Sequence, residues 1–143
     1  MATITNVEEF EAFKKARELA RAVYAATRQR EFARDFGLVD QIRRASVSVV
    51  SNMAEGFERD GRQEFIQFLA VSKGSVGEVK AQLLVAMDQN YLTEKEGAAL
   101  RQLATETGRL IAGLMHYLRQ SEYRGAKFRK PETSNSRPET SSP

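Results

Sequence analysis

Residues 37 to 56 read Gly37-Leu38-Val39-Asp40-Gln41-Ile42-Arg43-Arg44-Ala45-Ser46-Val47-Ser48-Val49-Val50-Ser51-Asn52-Met53-Ala54-Glu55-Gly56, and their periodicity decides the fold class. Leu38, Ile42, Ala45, Val49 and Met53 recur at the three- and four-residue steps that place side chains on one stripe of an α-helix. Gln41, Arg44, Ser48, Asn52 and Glu55 take the same steps beside it, within about one-sixth of the circumference at roughly 100° per residue. The segment is therefore a helix with an apolar stripe and a polar ladder side by side. Val47, Val50 and Ala54 point in a third direction, which a simple monomeric bundle would expose to water.

The ladder has two readings. It is either a solvated flank or a hydrogen-bonded seam between helices or subunits, with Arg44 able to fork onto Glu55 or Glu78 of a neighbour. The Val47, Val50 and Ala54 patch favours a subunit contact.

Working outward, Phe10, Phe13, Ala16, Leu19, Ala20, Val23 and Tyr24 predict one helix over about 7–28. Asp35-Phe36-Gly37 supplies a turn and a helix start, and the quoted helix covers about 38–55. Gly56 and Gly61 bracket Phe57-Glu58-Arg59-Asp60, read as a short polar connection. A third helix over about 63–90 follows from Phe65, Phe68, Leu69, Ser72, Val76, Val79, Leu83 and Met87, and is on the order of 40 Å long. Thr93-Glu94-Lys95-Glu96 is a capping box that fixes the start of a fourth helix, about 94–120. Its stripe is Leu100, Leu103, Ala104, Thr107, Leu110, Ile111, Leu114, Tyr117 and Leu118. The short turn at Tyr91-Leu92 makes the last two helices antiparallel neighbours.

No stretch alternates with the period of an exposed strand. The fold class is all-α, an antiparallel up-down four-helix bundle over 1–122. Residues 123–143, basic and then rich in Pro, Ser and Thr, are expected to be a disordered tail.

The chain has no cysteine, which excludes disulfides, thiolate catalysis, zinc ribbons and iron–sulfur ligation and suits a reducing compartment such as the cytoplasm. The N-terminal residues carry neither a basic start nor an apolar core of a secretory signal. No apolar run approaches the roughly 18 residues of a spanning helix, so no membrane association is expected. Twenty-two basic and 19 acidic residues, net charge +3, are mixed along the chain, and such a balance points only weakly to nucleic acid.

The chemistry of known sites finds little support. The sole histidine, His116, has Gly113 three residues before it, so the Glu-x-x-His pair of di-iron bundles is missing. No nucleophile elbow or phosphate loop is present. Gly74, Ser75 and Gly77 interrupt a strong helical pattern. Their short side chains would let another helix approach closely, offsetting a propensity cost of about 1 kcal/mol per glycine. Gly74→Leu is then expected to disturb the bundle or its assembly. No enzyme activity, cofactor or metal is expected.

The quoted segment closely resembles the signature of the four-helix bundle proteins encoded in intervening sequences of bacterial 23S rRNA genes. The similarity continues through Phe65-Ile66-Gln67-Phe68-Leu69, Lys73-Gly74-Ser75-Val76-Gly77-Glu78-Val79, Gln82-Leu83 and Tyr91-Leu92. The first helix adds Phe10-Glu11 and Lys15-Ala16-Arg17-Glu18-Leu19-Ala20, so the resemblance spans about residues 8–120. A tryptophan common in that family's first helix has no counterpart, and the tail lies outside the pattern.

The resemblance implies a ring-forming homo-oligomer, a homopentamer in related proteins that include the accessory protein of diversity-generating retroelements. That relative binds nucleic acid and a reverse transcriptase. Enzymatic activity does not follow from membership.

The leading expectation is a non-enzymatic homo-oligomeric scaffold that binds RNA or DNA, above all structured RNA, through basic residues. The candidates are Arg28, Arg30 and Arg34 between the first two helices, Arg59 and Arg62 between the next two, and Arg119, Arg124, Lys127, Arg129 and Lys130 near the tail. Contacts of this kind are salt-sensitive and poorly sequence-specific. The subunit interface would take Gln41, Arg44, Val47, Ser48, Val50, Asn52, Ala54, Glu55, Gly74 and Glu78. The alternative is a module that docks another protein, its arginines serving solubility.

Overall fold

The computed structural model describes residues 4–120. Four helices follow in order: α1 Glu11–Thr27, α2 Phe36–Glu58, α3 Arg62–Asp88 and α4 Glu94–Gln120, with 3-10 turns at Val7–Glu9 and Phe32–Arg34. Each helix packs on its neighbours in the chain and α4 returns beside α1, which gives an up-down bundle with a square cross-section. The apolar stripes converge on one core that includes Leu19, Ile42, Val49, Met53, Leu69, Leu83 and Ile111, each fully buried.

Local chemistry sets the boundaries. The side chain of Asp35 accepts from the Leu38 amide at 3.1 Å and so caps α2. Its second oxygen accepts from the Tyr91 hydroxyl at 2.9 Å, tying that cap to the α3–α4 turn. This bond to the carboxylate, with some desolvation, raises the Tyr91 pKa above the usual phenol value. Asn90 takes left-handed backbone, φ 63°, and the Tyr91 amide closes the turn onto the Ala86 carbonyl. At the start of α4 the Thr93 amide donates to Glu96 at 2.9 Å and the Glu96 amide to the Thr93 hydroxyl at 3.0 Å. The backbone bond from Thr93 is the main reason that the Glu96 carboxyl titrates below its ordinary value.

Two readings of the sequence need correction. The first helix is broken at Phe10, whose backbone is extended (ψ 134°) between the Val7–Glu9 turn and α1. The break turns the Phe10 ring inward, 5.7 Å from Phe57 and 5.9 Å from Phe65. The bracketed segment from Gly56 is also not a polar connection up to Gly61. Helix α2 runs on to Glu58, and Phe57 is core at 1% exposure.

Gly56 serves close packing instead of helix termination. A Cβ there would stand 2.6 Å from the Phe68 Cβ and 3.1 Å from the Phe65 ring. Gly97 is crowded too, but only by the flexible Met87 side chain, including its Sδ. Gly56→Ala is therefore expected to lose about 1–3 kcal/mol by overpacking against a fixed Cβ. Gly97→Ala is expected to be near neutral, since methionine can move and alanine favours a helix by about 1 kcal/mol. Urea unfolding of the two variants measures the contrast, and equal losses would contradict it.

Candidate functional site

Helices α2 and α3 make the most extensive pairing of the bundle, and their seam is built from small polar residues. The Ser72 hydroxyl donates to the Val49 carbonyl at 2.9 Å, and the Ser48 and Ser75 hydroxyls bond at 2.9 Å. Asn52 donates to both the carbonyl and the hydroxyl of Ser48, each at 2.9 Å. Two rungs of the ladder, Ser48 and Asn52, are thus engaged within the chain.

Of the remaining rungs, Arg44 and Glu55 pair with residues four positions away in the chain. Arg44 bonds Asp40 at 2.9 Å, and Glu55 pairs with Arg59 at 2.8 Å, so within the chain Arg44 pairs with neither Glu55 nor Glu78. Gln41, Gly74 and Glu78 are exposed, and Glu78 has no ion pair among the described residues. Val47 is 42% exposed. Val50 and Ala54 are not exposed as expected but half-buried against the core. They share a direction with Arg43, which reaches the Thr27 hydroxyl of α1, so α1 lies along that side of α2.

The outer side of α3 is the least ordinary surface. Val71 is 53% exposed, Leu84 45% and Val85 46%. With Ala70, Gly74, Gly77 and Ala81 they make up about half of the exposed positions of α3, and Glu64, Lys73, Glu78 and Asp88 supply its exposed charges. A helix that is apolar all round is normally buried all round. A Cβ at Gly74 or Gly77 would meet nothing within 4 Å, so neither glycine accommodates a helix of this bundle. Of the three small residues expected to admit another helix, Ser75 faces α2 through its bond to Ser48, while at Gly74 and Gly77 close approach from outside the bundle is what the positions permit.

Sequence reasoning tracked a single stripe on α3 and missed Val71, Ala81, Leu84 and Val85. A second stripe at three- and four-residue steps, Val71, Gly74, Glu78, Ala81 and Val85, was the available signal.

The basic candidates separate into two groups. Arg28, Arg30 and Arg34 stand exposed at the end of the bundle where α1 meets α2, Arg30 with φ 49°. Arg59, Arg62 and Arg119 belong to the opposite end, roughly 40 Å away along a 27-residue helix. Arg59 is engaged by Glu55 and lies 5.0 Å over the Phe68 ring. Arg124, Lys127, Arg129 and Lys130, with the expected tail, lie outside the described residues.

His116 is exposed, and no group of three potential metal ligands occurs among the described residues. No described helix is long and apolar enough to cross a membrane. The features define a class: an antiparallel four-helix bundle whose distinctive surfaces are helix faces instead of a cleft.

Residues 8–113 match the model of the 23S rRNA-intervening sequence protein family, and the chain belongs to that family. Among solved structures it is similar to a protein of unknown function from the S23 ribosomal protein family of Bacteroides thetaiotaomicron VPI-5482. That pair shares 22% identity with a TM-score of 0.68, covering 73% of this chain and 95% of the other, which is a likeness of fold. No curated protein matches the chain.

Proposed function

We propose that the protein is a non-enzymatic, homo-oligomeric helical scaffold of the cytoplasm that binds nucleic acid, structured RNA above all. The carrying observation is the outer face of α3, where Val71, Gly74, Ala81 and Val85 form a stripe that a single bundle leaves in water. A second copy of this chain is the occupant proposed for it. Charge lies within and beside the stripe, with Glu78 and Lys73 lacking ion-pair partners among the described residues, so copies can exchange these opposite charges across the contact. The ring of five implied by the family resemblance is the assembly proposed. It would multiply the Arg28, Arg30 and Arg34 cluster around one end and turn a weakly basic chain into a multivalent polycation.

Filter binding of a structured RNA hairpin across a salt series tests the nucleic-acid part. Affinity is expected to fall linearly on a log–log plot as salt rises. Absence of binding even at low salt would remove that reading and leave a protein-docking module.

A further inference from the structure

The outer surface between α1 and α2 holds a shallow depression of about 710 Å³. The short side chains of Val47 and Ser51 line it, and Arg43, Arg44 and Tyr24 form its walls. Asp40 is the sole carboxylate in the lining and is paired with the Nε of Arg44 at 2.9 Å.

Arg43 is held in a defined pose. Its Nε donates to the Thr27 hydroxyl at 2.8 Å, and that oxygen lies 2.9 Å from the Val23 carbonyl, to which it donates. The guanidinium carbon sits 4.5 Å over the Tyr24 ring. One edge of the guanidinium is thereby fixed, while its two terminal nitrogens find no acceptor among the described residues. A pre-oriented fork with both terminal nitrogens open matches a phosphoryl oxygen pair.

The surroundings select for a chain of anions. Arg17, Arg21 and Arg28 are exposed and share the stripe of α1 that carries Tyr24, forming a row about 16 Å long. Three cations along one edge and two arginines across the groove suit successive phosphates better than a lone carboxylate.

We propose that this depression binds a phosphoryl group on the Arg43 fork, with Arg44 as second donor and Arg17, Arg21 and Arg28 extending the contact along a phosphodiester backbone. The assignment rests on the nucleic-acid reading above and gives it a site that shares only Arg28 with the end clusters. The same phosphoryl chemistry could come from a free mononucleotide, so the test includes both.

The full chain is titrated with a fluorescein-labelled RNA hairpin and, separately, with AMP. Two variants are compared with wild type: Arg43→Gln, which removes the fork, and Ser51→Glu, which adds a carboxylate to the depression and leaves Arg43, Thr27 and Tyr24 in place. Both are expected to weaken hairpin binding about tenfold, and Arg43→Gln to lower the salt slope by about one. Circular dichroism checks that each variant stays folded.

Hairpin affinity unchanged in both variants would overturn the site while the nucleic-acid reading stands. Weakening by Arg43→Gln alone would make Arg43 a tether between α1 and α2 and also overturn it; weakening by Ser51→Glu alone would overturn the role of Arg43. If wild type binds AMP but no hairpin, and both variants lose AMP, the phosphoryl site holds for a mononucleotide and the nucleic-acid reading falls. Binding of neither probe overturns both.

Discussion

Phe65→Ala is expected to lower the unfolding free energy by about 3–5 kcal/mol, a large share of the roughly 5–15 kcal/mol that folded domains possess. Phe65 has 0% exposure at the start of α3. Its ring lies 5.9 Å from Phe57 at the end of α2 and 5.9 Å from Phe10 ahead of α1, with interplanar angles of 73° and 60°. Three elements meet on that ring, and Gly56 approaches it closely, a Cβ there standing 3.1 Å from its edge. Urea unfolding at a fixed protomer concentration gives the loss. A value under about 1 kcal/mol would mean that the cluster does not hold these elements together.

The second large effect is on assembly. Val71→Glu, and independently Ala81→Glu, are expected to reduce the assembled protein to single bundles. Each replaces an apolar side chain of the α3 face by a carboxylate beyond the one that Glu78 already supplies, and an unpaired charge buried in a contact costs several kcal/mol. Because Val71 is 53% exposed in the single chain, the same substitution leaves the fold intact. Circular dichroism should match wild type while the sedimenting mass falls. A variant that keeps the wild-type mass would remove α3 from the interface. Gly74→Leu belongs to the same series: nothing within the bundle lies within 4 Å of a Cβ at that exposed position, so the expected effect is on assembly with the fold retained.

The parts of the fold legible in sequence were those fixed by interactions local to a few residues. The Thr93–Glu96 capping box and the Asp35 cap depend on neighbours three positions away, and both are found with hydrogen bonds of 2.9–3.1 Å. The core stripe of α2 follows from periodicity alone. What escaped depends on partners distant in the chain. Gly56 looked like a stop signal because glycine ends helices often, and only the position of Phe68 reveals that it is a packing glycine. Val50 and Ala54 looked exposed because sequence does not say on which side of α2 the first helix lies. Phe10 looked continuous with α1 because an apolar residue at the right step is silent about its ψ.

The surfaces were legible to a lesser degree. The polar ladder was visible, but its Ser48 and Asn52 rungs proved to face Ser75 and their own helix. Arg43 escaped notice because neither Tyr24 nor Thr27 adjoins it in sequence, although together they set its pose. The basic candidates formed one inventory in sequence and two separate ends in space.

The proposed assembly, and the multivalent display of basic residues that follows from it, rest on the outer face of α3 being covered by another copy of the chain. The direct measurement is the mass of the wild-type protein in solution by light scattering, against a protomer of 16.1 kDa. The expected result is a mass several times that value, fivefold for the proposed ring. A mass of 16.1 kDa that persists at the highest concentration reached would contradict it.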